Sequence, residues 1–359
     1  MKKSKDENIT SVLKLIAPGT PIRDGLENIL RAKTGALLLI TDNSEILKEV
    51  VDGGFTINEE YTSSKLYELA KMDGAIVLSG DMKRILYANA QLIPSHEIIT
   101  TETGTRHRTA ERTAKQTGEL VISISQRRNI ITVFKGTDRY VLEDTEVVLN
   151  KANQAIQTLE KYKKVFDNKL NILNEYEFND IVTLQNVILA IQRAEMVMRI
   201  VDEIQRQIYE LGNDGRLVKM QLEELIGGLE KEEKLIIKDY LVATKKKNTP
   251  EKVIENLEEL EYEDLLKESA IAKLLGYEYF DNYDEVGVYP KGYRILSKVP
   301  RMPSNIVENL VESFKSFQHI LAADIESLDD VDGIGEVRAR TIKQSLKRMQ
   351  EQFVFDNII

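Results

Sequence analysis

Gly104-Thr-Arg-His-Arg-Thr109 sets two guanidinium groups, an imidazole and two hydroxyls at the opening of a helical pattern that continues through Glu111, Arg112 and Lys115. A helix start carries free backbone N–H groups and the positive end of the helix dipole, so these side chains make a ready anion site. Taken alone, they suit a solvated helix end equally well. Asp73-Gly74-Ala75 lies between a helical pattern ending at Lys71-Met72 and a strand-like run, Ala75 to Ser79. By itself, Asp-Gly is foremost a turn. A third cluster is Val331-Asp-Gly-Ile-Gly-Glu-Val-Arg-Ala339, followed by Ile342, Leu346 and Met349 at helical spacing. Other chemistries are excluded. There is no Gly-x-x-x-x-Gly-Lys-Ser/Thr loop and no His-Glu-x-x-His. Cysteine is absent, which removes disulfides, thiolate zinc sites, iron–sulfur clusters and cysteine nucleophiles. The histidines are His96, His107 and His319, which argues against a multi-histidine metal site.

The elements that must carry these residues can be read from periodicity. At ~100–200 residues per domain, 359 residues predict two or three domains. With 42% hydrophobic and 30% charged residues, a packed core is expected rather than general disorder. Asn8 to Ala17 has helical spacing and stops at Pro18-Gly19. Thr20 is an N-cap candidate with Pro21 at the first helical position, for a helix to about Lys33. Ala36 to Ile40 suits a strand buried on both faces. Val50-Val51 and Phe55-Ile57 flank Asp52-Gly53-Gly54, the chemistry of a tight hairpin. Ser63 or Ser64 opens another helix. Further strands are expected at Ala75 to Ser79, Ile85 to Ala90, Leu120 to Ser125, Ile130 to Phe134 and Tyr140 to Leu142.

The character changes near Val147. Ala152, Ala155, Leu159, Tyr162, Phe166, Leu170 and Leu173 step by three and four, as in one long amphipathic helix. Helical periodicity persists to about Leu275, with breaks at Gly212 to Gly215, Gly227-Gly228 and Asn248 to Pro250. Lys245 to Lys247 reads as a solvated loop, and residues 277–292 as a linker. The expected fold class is therefore multidomain, α/β plus all-α. Residues 1–146 form a mixed-sheet α/β domain, 147–290 a helical spacer and 291–359 a separate helical domain. No apolar run approaches the ~18–20 residues that cross a bilayer. The charged start and Lys14 within the next apolar stretch do not fit a signal peptide, so a cytoplasmic protein with no membrane partner is expected.

The net charge of −10 is unevenly spread. Residues 151–290 hold 28 acidic and 19 basic side chains, whereas residues 291–359 hold 10 of each. A nucleic-acid contact must therefore come from a local basic face, and the C-terminal segment is the least unfavourable place for it. There, Gly333 and Gly335 let the backbone turn between helices and approach a phosphate, which resembles a helix-hairpin-helix. The following helix offers its N–H groups, and Arg338, Arg340, Lys343, Lys347 and Arg348 follow at once, suiting backbone contact without base reading. A weaker half precedes it at Val299-Pro-Arg-Met-Pro303, with Arg294, Lys298 and Arg301 nearby. Such a tandem resembles proteins that bind branched DNA; a hairpin that packs on another protein is the alternative.

Asp-Gly-Ala followed some thirty residues later by Arg-His-Arg resembles the paired signature of the diadenylate cyclase family. The stretches Ala70 to Ile76, Glu102 to Arg112, Ala17 to Pro21 and Lys151 to Lys161 are similar to its DNA-linked branch, and the likeness extends over essentially the full length. The resemblance implies condensation of two ATP into cyclic di-AMP and two diphosphates by paired, facing domains, within an octamer. It implies that Asp73 is a metal ligand and catalytic residue serving the nucleotide of the facing subunit. Arg106, His107 and Arg108 would be catalytic cations, with Thr105 and Thr109 as hydroxyl donors to ATP. Gly74 and Leu92 would line the nucleotide pocket, and Ser125 and Arg128 would reach its phosphates. Mg²⁺ or Mn²⁺ is the expected cofactor. Branched DNA, such as a Holliday-junction-like intermediate, would bind through Arg301, Gly333, Gly335, Arg338, Arg340 and Lys343 and control the activity, in a nucleoid-associated protein. The alternative is a non-catalytic branched-DNA-binding protein whose N-terminal domain senses ATP.

Overall fold

The computed structural model describes residues 2–242 and 248–356, with side chains from 9 to 352. The basic run Lys245 to Lys247 lies outside the described residues. The chain divides into two compact units, Met1–Gln154 with Ile204–Met220, and Ala155–Glu203 with Gln221–Ile359.

The first unit opens with helices α1 (Lys2–Leu15) and α2 (Pro21–Arg31). Thr20 caps α2, its hydroxyl accepting from the Arg23 amide. Then come β1 (Ala36–Ile40), α3 (Ser44–Val50), β2 (Val51–Asp52), β3 (Phe55–Glu60), α4 (Ser63–Leu69), β4 (Ala75–Leu78) and β5 (Arg84–Leu92). Helix α5 (Thr105–Thr117) precedes the meander β6 (Leu120–Ser125), β7 (Ile130–Lys135) and β8 (Asp138–Leu142). The strands order as β2-β5-β4-β1-β6-β7-β8, and β3 also pairs with β5. Only β1 and β4 run parallel among these pairs, so the sheet is mixed. Alternation along β1 explains its uninterrupted apolar sequence: Leu38 and Ile40 pack with Val12, Leu26, Ile29 and Leu66 of α1, α2 and α4, and with Ile16 just after α1. Leu37 and Leu39 pack with Ala110 and Ala114 of α5 on the other face.

Asp52-Gly53-Gly54 does not reverse the chain as a hairpin. Val51 and Asp52 pair with Leu92 and Gln91, and Phe55 and Thr56 pair with Ala88 and Tyr87. The segment kinks within one edge running along β5, because Gly53 and Gly54 take positive φ and Gly54 lies close against Ala88 and Ala90 of that strand. Residues Ile204–Met220 also belong to this unit. Within it, the Tyr140 hydroxyl donates to Glu210 at 2.6 Å, the Asn213 amide donates to Pro18 O, and Lys14 Nζ sits 4.1 Å from the Tyr209 ring centroid.

The helices that follow the sheet in sequence are α6 (Thr145–Asn179), α7 (Leu184–Leu211), α8 (Arg216–Leu225), α9 (Leu229–Tyr240), α10 (Pro250–Glu259), α11 (Tyr262–Leu265) and α12 (Glu268–Leu275). Residues 277–292 are not a free linker. Tyr283 and Val288 are buried, the Leu184 amide donates to Val286 O, and the Val288 amide donates to Val182 O. Five helices complete the second unit: α13 (Tyr293–Leu296), α14 (Ser304–Phe314), α15 (Phe317–Ala322), α16 (Ile325–Asp329) and α17 (Glu336–Asp356). One apolar core joins them through Ile295, Leu310, Phe317, Leu328, Ile342 and Leu346.

Arg294 does not contribute to a basic face: it is wholly buried. Its guanidinium donates to Asn174 and Glu177 at 2.5 Å each, and Glu177 accepts from the Tyr240 hydroxyl at 2.7 Å. Asp239 accepts the Gly292, Tyr293 and Arg294 amides. A charge this deep stays ionised only when paired and hydrogen-bonded, and the ends of α6 and α9 supply those partners. Among the described residues, no helix is long and apolar enough to cross a membrane.

Candidate active site: a cleft at one end of the sheet

Parallel strands β1 and β4 begin at the same end of the sheet, where antiparallel β5 finishes. A cleft of about 430 Å³ opens there. Its floor is Leu37, Gly74, Ala75 and the segment Asn89 to Leu92, and its wall is Thr105, Arg106 and Thr109 from the first turns of α5. The wall is electropositive by construction. Gly104 caps α5 without a side-chain hydrogen bond, leaving amides at the helix start for another acceptor.

Local backbone shapes the floor. Gly74 has φ +93°, and a Cβ there would lie 2.8 Å from Ala90 O. The β4–β5 register shifts between Ala75 and Val77, and Asn89, opposite this irregularity, has φ +51°. Such bulges re-aim a strand beside a site. Arg106 crosses toward β6 where Gly35 leaves room; a Cβ on Gly35 would stand 2.4 Å from Arg106 Nη1. The same guanidinium lies 3.9 Å from Asp73, whose carboxylate is fully turned to solvent at the cleft rim.

The structure brings Gly74, Leu92, Thr105, Arg106 and Thr109 together around this cleft, with Asp73 beside them. His107 is placed differently. It faces inward from α5, 4% exposed, with Nδ1 3.1 Å from Ser123 Oγ and its ring edge-on to Phe134. Burial holds its pKa below the ordinary value; Glu102 opposes this, while Arg128 and Arg139 reinforce it. Its Nε2 is buried without a hydrogen-bond partner. Arg108 is exposed on the helix and does not line the cleft. Arg128 Nη2 donates to Thr103 Oγ1 at 2.9 Å, and the Arg128 amide donates to Ser125 Oγ. These two residues thus join the β6–β7 turn to the loop that precedes α5.

Sequence reasoning missed the residues that hold this loop. Glu111, 7% exposed, accepts from Thr100 Oγ1, the Thr101 amide and Lys115 Nζ. Burial would raise its pKa, yet these donors hold the carboxyl below the usual range. Arg112 and Lys115 donate to Ile98 O and Ile99 O, and Arg139 pairs with Glu102 at 2.5 Å. The Glu111–Lys115 spacing of four on one helix was the available signal.

In the second unit, Arg301 is exposed with φ +57°, between α13 and α14. Gly333 has φ +80° and Gly335 faces open space, between α16 and α17. Arg338 folds back to donate to Gly333 O, and Arg340 pairs with Glu336. Lys343 donates to Leu321 O and Ala323 O, so its ammonium is engaged inside the unit.

A mixed sheet with an electropositive helix start beside a cleft at the end of its parallel strands is an α/β arrangement suited to binding an anion such as a phosphate. Residues 23–139 match the family model described as DisA bacterial checkpoint controller nucleotide-binding, and residues 142–283 match the DisA bacterial checkpoint controller linker region. The chain is 54% identical over 358 residues, the full length of both proteins, to the DNA integrity scanning protein DisA of Clostridium botulinum (strain Loch Maree / Type A3). It is 55% identical to that of Clostridioides difficile (strain 630), across 99% of this chain and 98% of the relative. For Carboxydothermus hydrogenoformans the identity is 56%, across 97% and 98%. The chain belongs to the DisA family.

Proposed function

We propose that this diadenylate cyclase condenses two ATP into cyclic di-AMP across facing subunits and that branched DNA bound by the C-terminal helices controls the rate. In each half-reaction a 3′-hydroxyl oxygen attacks the α-phosphorus of the facing nucleotide and loses its proton. The bond to the diphosphate oxygen breaks, and diphosphate leaves. Two such displacements close the ring and release two diphosphates.

The observation that carries this reading is the placement of Asp73. Its carboxylate points to solvent at the rim of the cleft, with Arg106 as the ion-pair neighbour at 3.9 Å. A carboxylate so exposed can serve a nucleotide held by another subunit, which is why a homo-oligomer with paired cyclase domains is proposed, with an octamer as its full form. Arg106, Thr105 and Thr109 take the triphosphate together with the amides at the start of α5. Charge builds on the departing diphosphate, and fixed donors at that point stabilise it most. Arg108, exposed on the same turn, reaches phosphate from outside the cleft. Ser125 and Arg128 close the phosphate side through Thr103. His107 acts from beneath, holding α5 against β6 through Ser123. Gly74 and Leu92 line the nucleotide-binding floor.

The donor set fits a hard divalent cation carried chiefly by phosphate. Among the described residues no group of three or more acidic or histidine side chains could hold a metal ion by itself. Magnesium-type ions at nucleotide sites use one or two carboxylates plus substrate phosphates. Asp73 would be that ligand, and Mg²⁺ or Mn²⁺ would supply charge neutralisation and a more acidic 3′-hydroxyl.

Residues 1–146 form the cyclase domain in this reading, 147–290 the helical linker and 291–359 a tandem helix-hairpin-helix domain. The turns at Arg301 and at Gly333 to Gly335 are its two hairpins. Arg338 and Arg340 would exchange their internal partners for DNA phosphates, and Lys343 would support the following turn of α17. The protein then works in the cytoplasm, associated with the nucleoid, coupling DNA damage to a nucleotide signal. The test is incubation of the full chain with ATP and Mg²⁺ or Mn²⁺, followed by mass spectrometry of the nucleotides, with and without a four-way junction. Cyclic di-AMP that falls with the junction but not with linear duplex is expected. Absence of any dinucleotide with both metals overturns the catalytic part, and indifference to the junction overturns the control.

A further inference from the structure

The second unit holds a cavity of about 380 Å³ between α7, α9 and α10. Its lining is unbalanced in charge. Glu195 and Asp202 of α7, Glu230 and Glu233 of α9, and Glu258 of α10 face it, against the two cations Arg199 and Lys234. Both cations already have partners: Lys234 pairs outside the cavity, and Arg199 pairs with the lining residue Glu195, which leaves the lining acidic. Arg199 donates to Glu195 at 2.7 Å and to Leu257 O and Leu260 O, and Lys234 pairs with Glu251 at 2.7 Å. Glu233 is 3% exposed, and its Oε1 has no hydrogen-bond partner. A buried carboxylate oxygen left unpaired is costly, so the cavity presents an acceptor that a cationic donor would satisfy.

We propose that this cavity binds a small aliphatic ammonium ion of the diamine or polyamine class, its ammonium on Glu233 and its methylenes against Met198 and Ile254. A metal ion fits less well. Among the described residues no acidic group is tight enough to hold one, and hard cations require about six oxygens at close range. An ammonium instead spends three N–H donors on separate acceptors. Met198 and Ile254 line the same cavity and have no use in a metal site. The size is also that of a small-molecule site.

Binding carries a proton signature. Burial, then the neighbouring Glu195, Glu258 and Glu230, push Glu233 up to about 8. Near neutral pH the empty cavity therefore holds Glu233 largely protonated, and an entering cation displaces that proton. Affinity rises as pH is raised toward and past the Glu233 value. Arg199, Lys234 and Asp202 also face the cavity.

The experiment is calorimetric titration of the full chain with spermidine, without ATP or DNA, in two buffers of different ionisation enthalpy. One saturable site with proton release is expected for the parent. Glu233→Gln, a near-isosteric change, should weaken binding at least tenfold and abolish the proton release, with an unchanged or higher thermal midpoint. Met198→Lys, which places an ammonium in the cavity, should block spermidine as well. Should Glu233→Gln fail to fold, Met198→Lys carries the test. Absence of saturable binding at millimolar spermidine, equal affinity in the variants, or displacement by Mg²⁺ at matched ionic strength would each overturn the proposal.

Discussion

Replacing Arg294 by Met removes the cation from a wholly buried charged cluster and leaves Glu177 in place. Both side chains are wholly buried. Glu177 would keep one neutral donor, the Tyr240 hydroxyl, and Asn174 would lose its guanidinium partner. Removing one member of a buried ion pair costs about 3–5 kcal/mol, because the remaining charge is uncompensated. The loss falls on the junction of α6, α9 and α13, so local opening there should become about 10²- to 10⁴-fold more frequent. Hydrogen exchange read by mass spectrometry resolves this by peptide. Amides of α13 and α15 should exchange faster by that factor, while β1 and β6 should change little. The double variant Arg294→Met with Glu177→Leu removes the orphaned carboxylate and should recover about 2–4 kcal/mol. Exchange in Arg294→Met within threefold of the parent would refute the reasoning. So would a double variant no better protected than the single one.

Gly74→Ala should lower turnover at least tenfold in a folded protein, because φ of +93° strains any side chain by about 1–3 kcal/mol and the new Cβ meets Ala90 O; initial rates beside a thermal melt check it. Burial lowers the pKa of His107, so the unfolded chain binds its proton more readily than the folded one. Its contribution to stability is present above the ordinary histidine value of about 6.5 and is lost as pH falls toward the lowered folded value. The parent's thermal midpoint should drop over that interval more steeply than that of His107→Gln, and parallel curves would remove the histidine from the explanation. Arg301→Ala should weaken junction binding and reduce its dependence on salt by about one phosphate contact; a salt titration of binding reads the slope.

Much of the sheet was legible because burial on both faces leaves an unmistakable trace. Ala36–Ile40 and Leu120–Ser125 are strands at the expected bounds, and Thr20 with Pro21 starts α2 as its chemistry dictates. Local signals failed where a distant partner decides. Asp52-Gly53-Gly54 has hairpin chemistry, but β5 offers an edge along which both flanks can pair. Helix α3 was missed although Asn43 signals its start, capping it by accepting from the Glu45 and Ile46 amides. The Tyr-, Asp- and Gly-rich segment 277–292 is polar enough to read as a linker, yet it pairs with the start of α7 through backbone groups that composition does not reveal. Arg294 is the sharpest case. Its type predicts a surface, and partners far along the chain, Asn174, Glu177 and Glu232, make its burial possible. At the cleft, the residues of the Asp-Gly and Arg-His-Arg runs were visible by type. The inward turn of His107 was not, because helix phase relative to the sheet decides it.

The central claim is that Asp73 completes a site on a facing subunit and does not build its own nucleotide cleft. The direct measurement is ATP binding and product formation side by side in the parent and in Asp73→Asn, with Mn²⁺ present. The account predicts nucleotide affinity within a few-fold of the parent and no detectable cyclic di-AMP. Retained product formation, or loss of ATP binding in step with turnover, would contradict it.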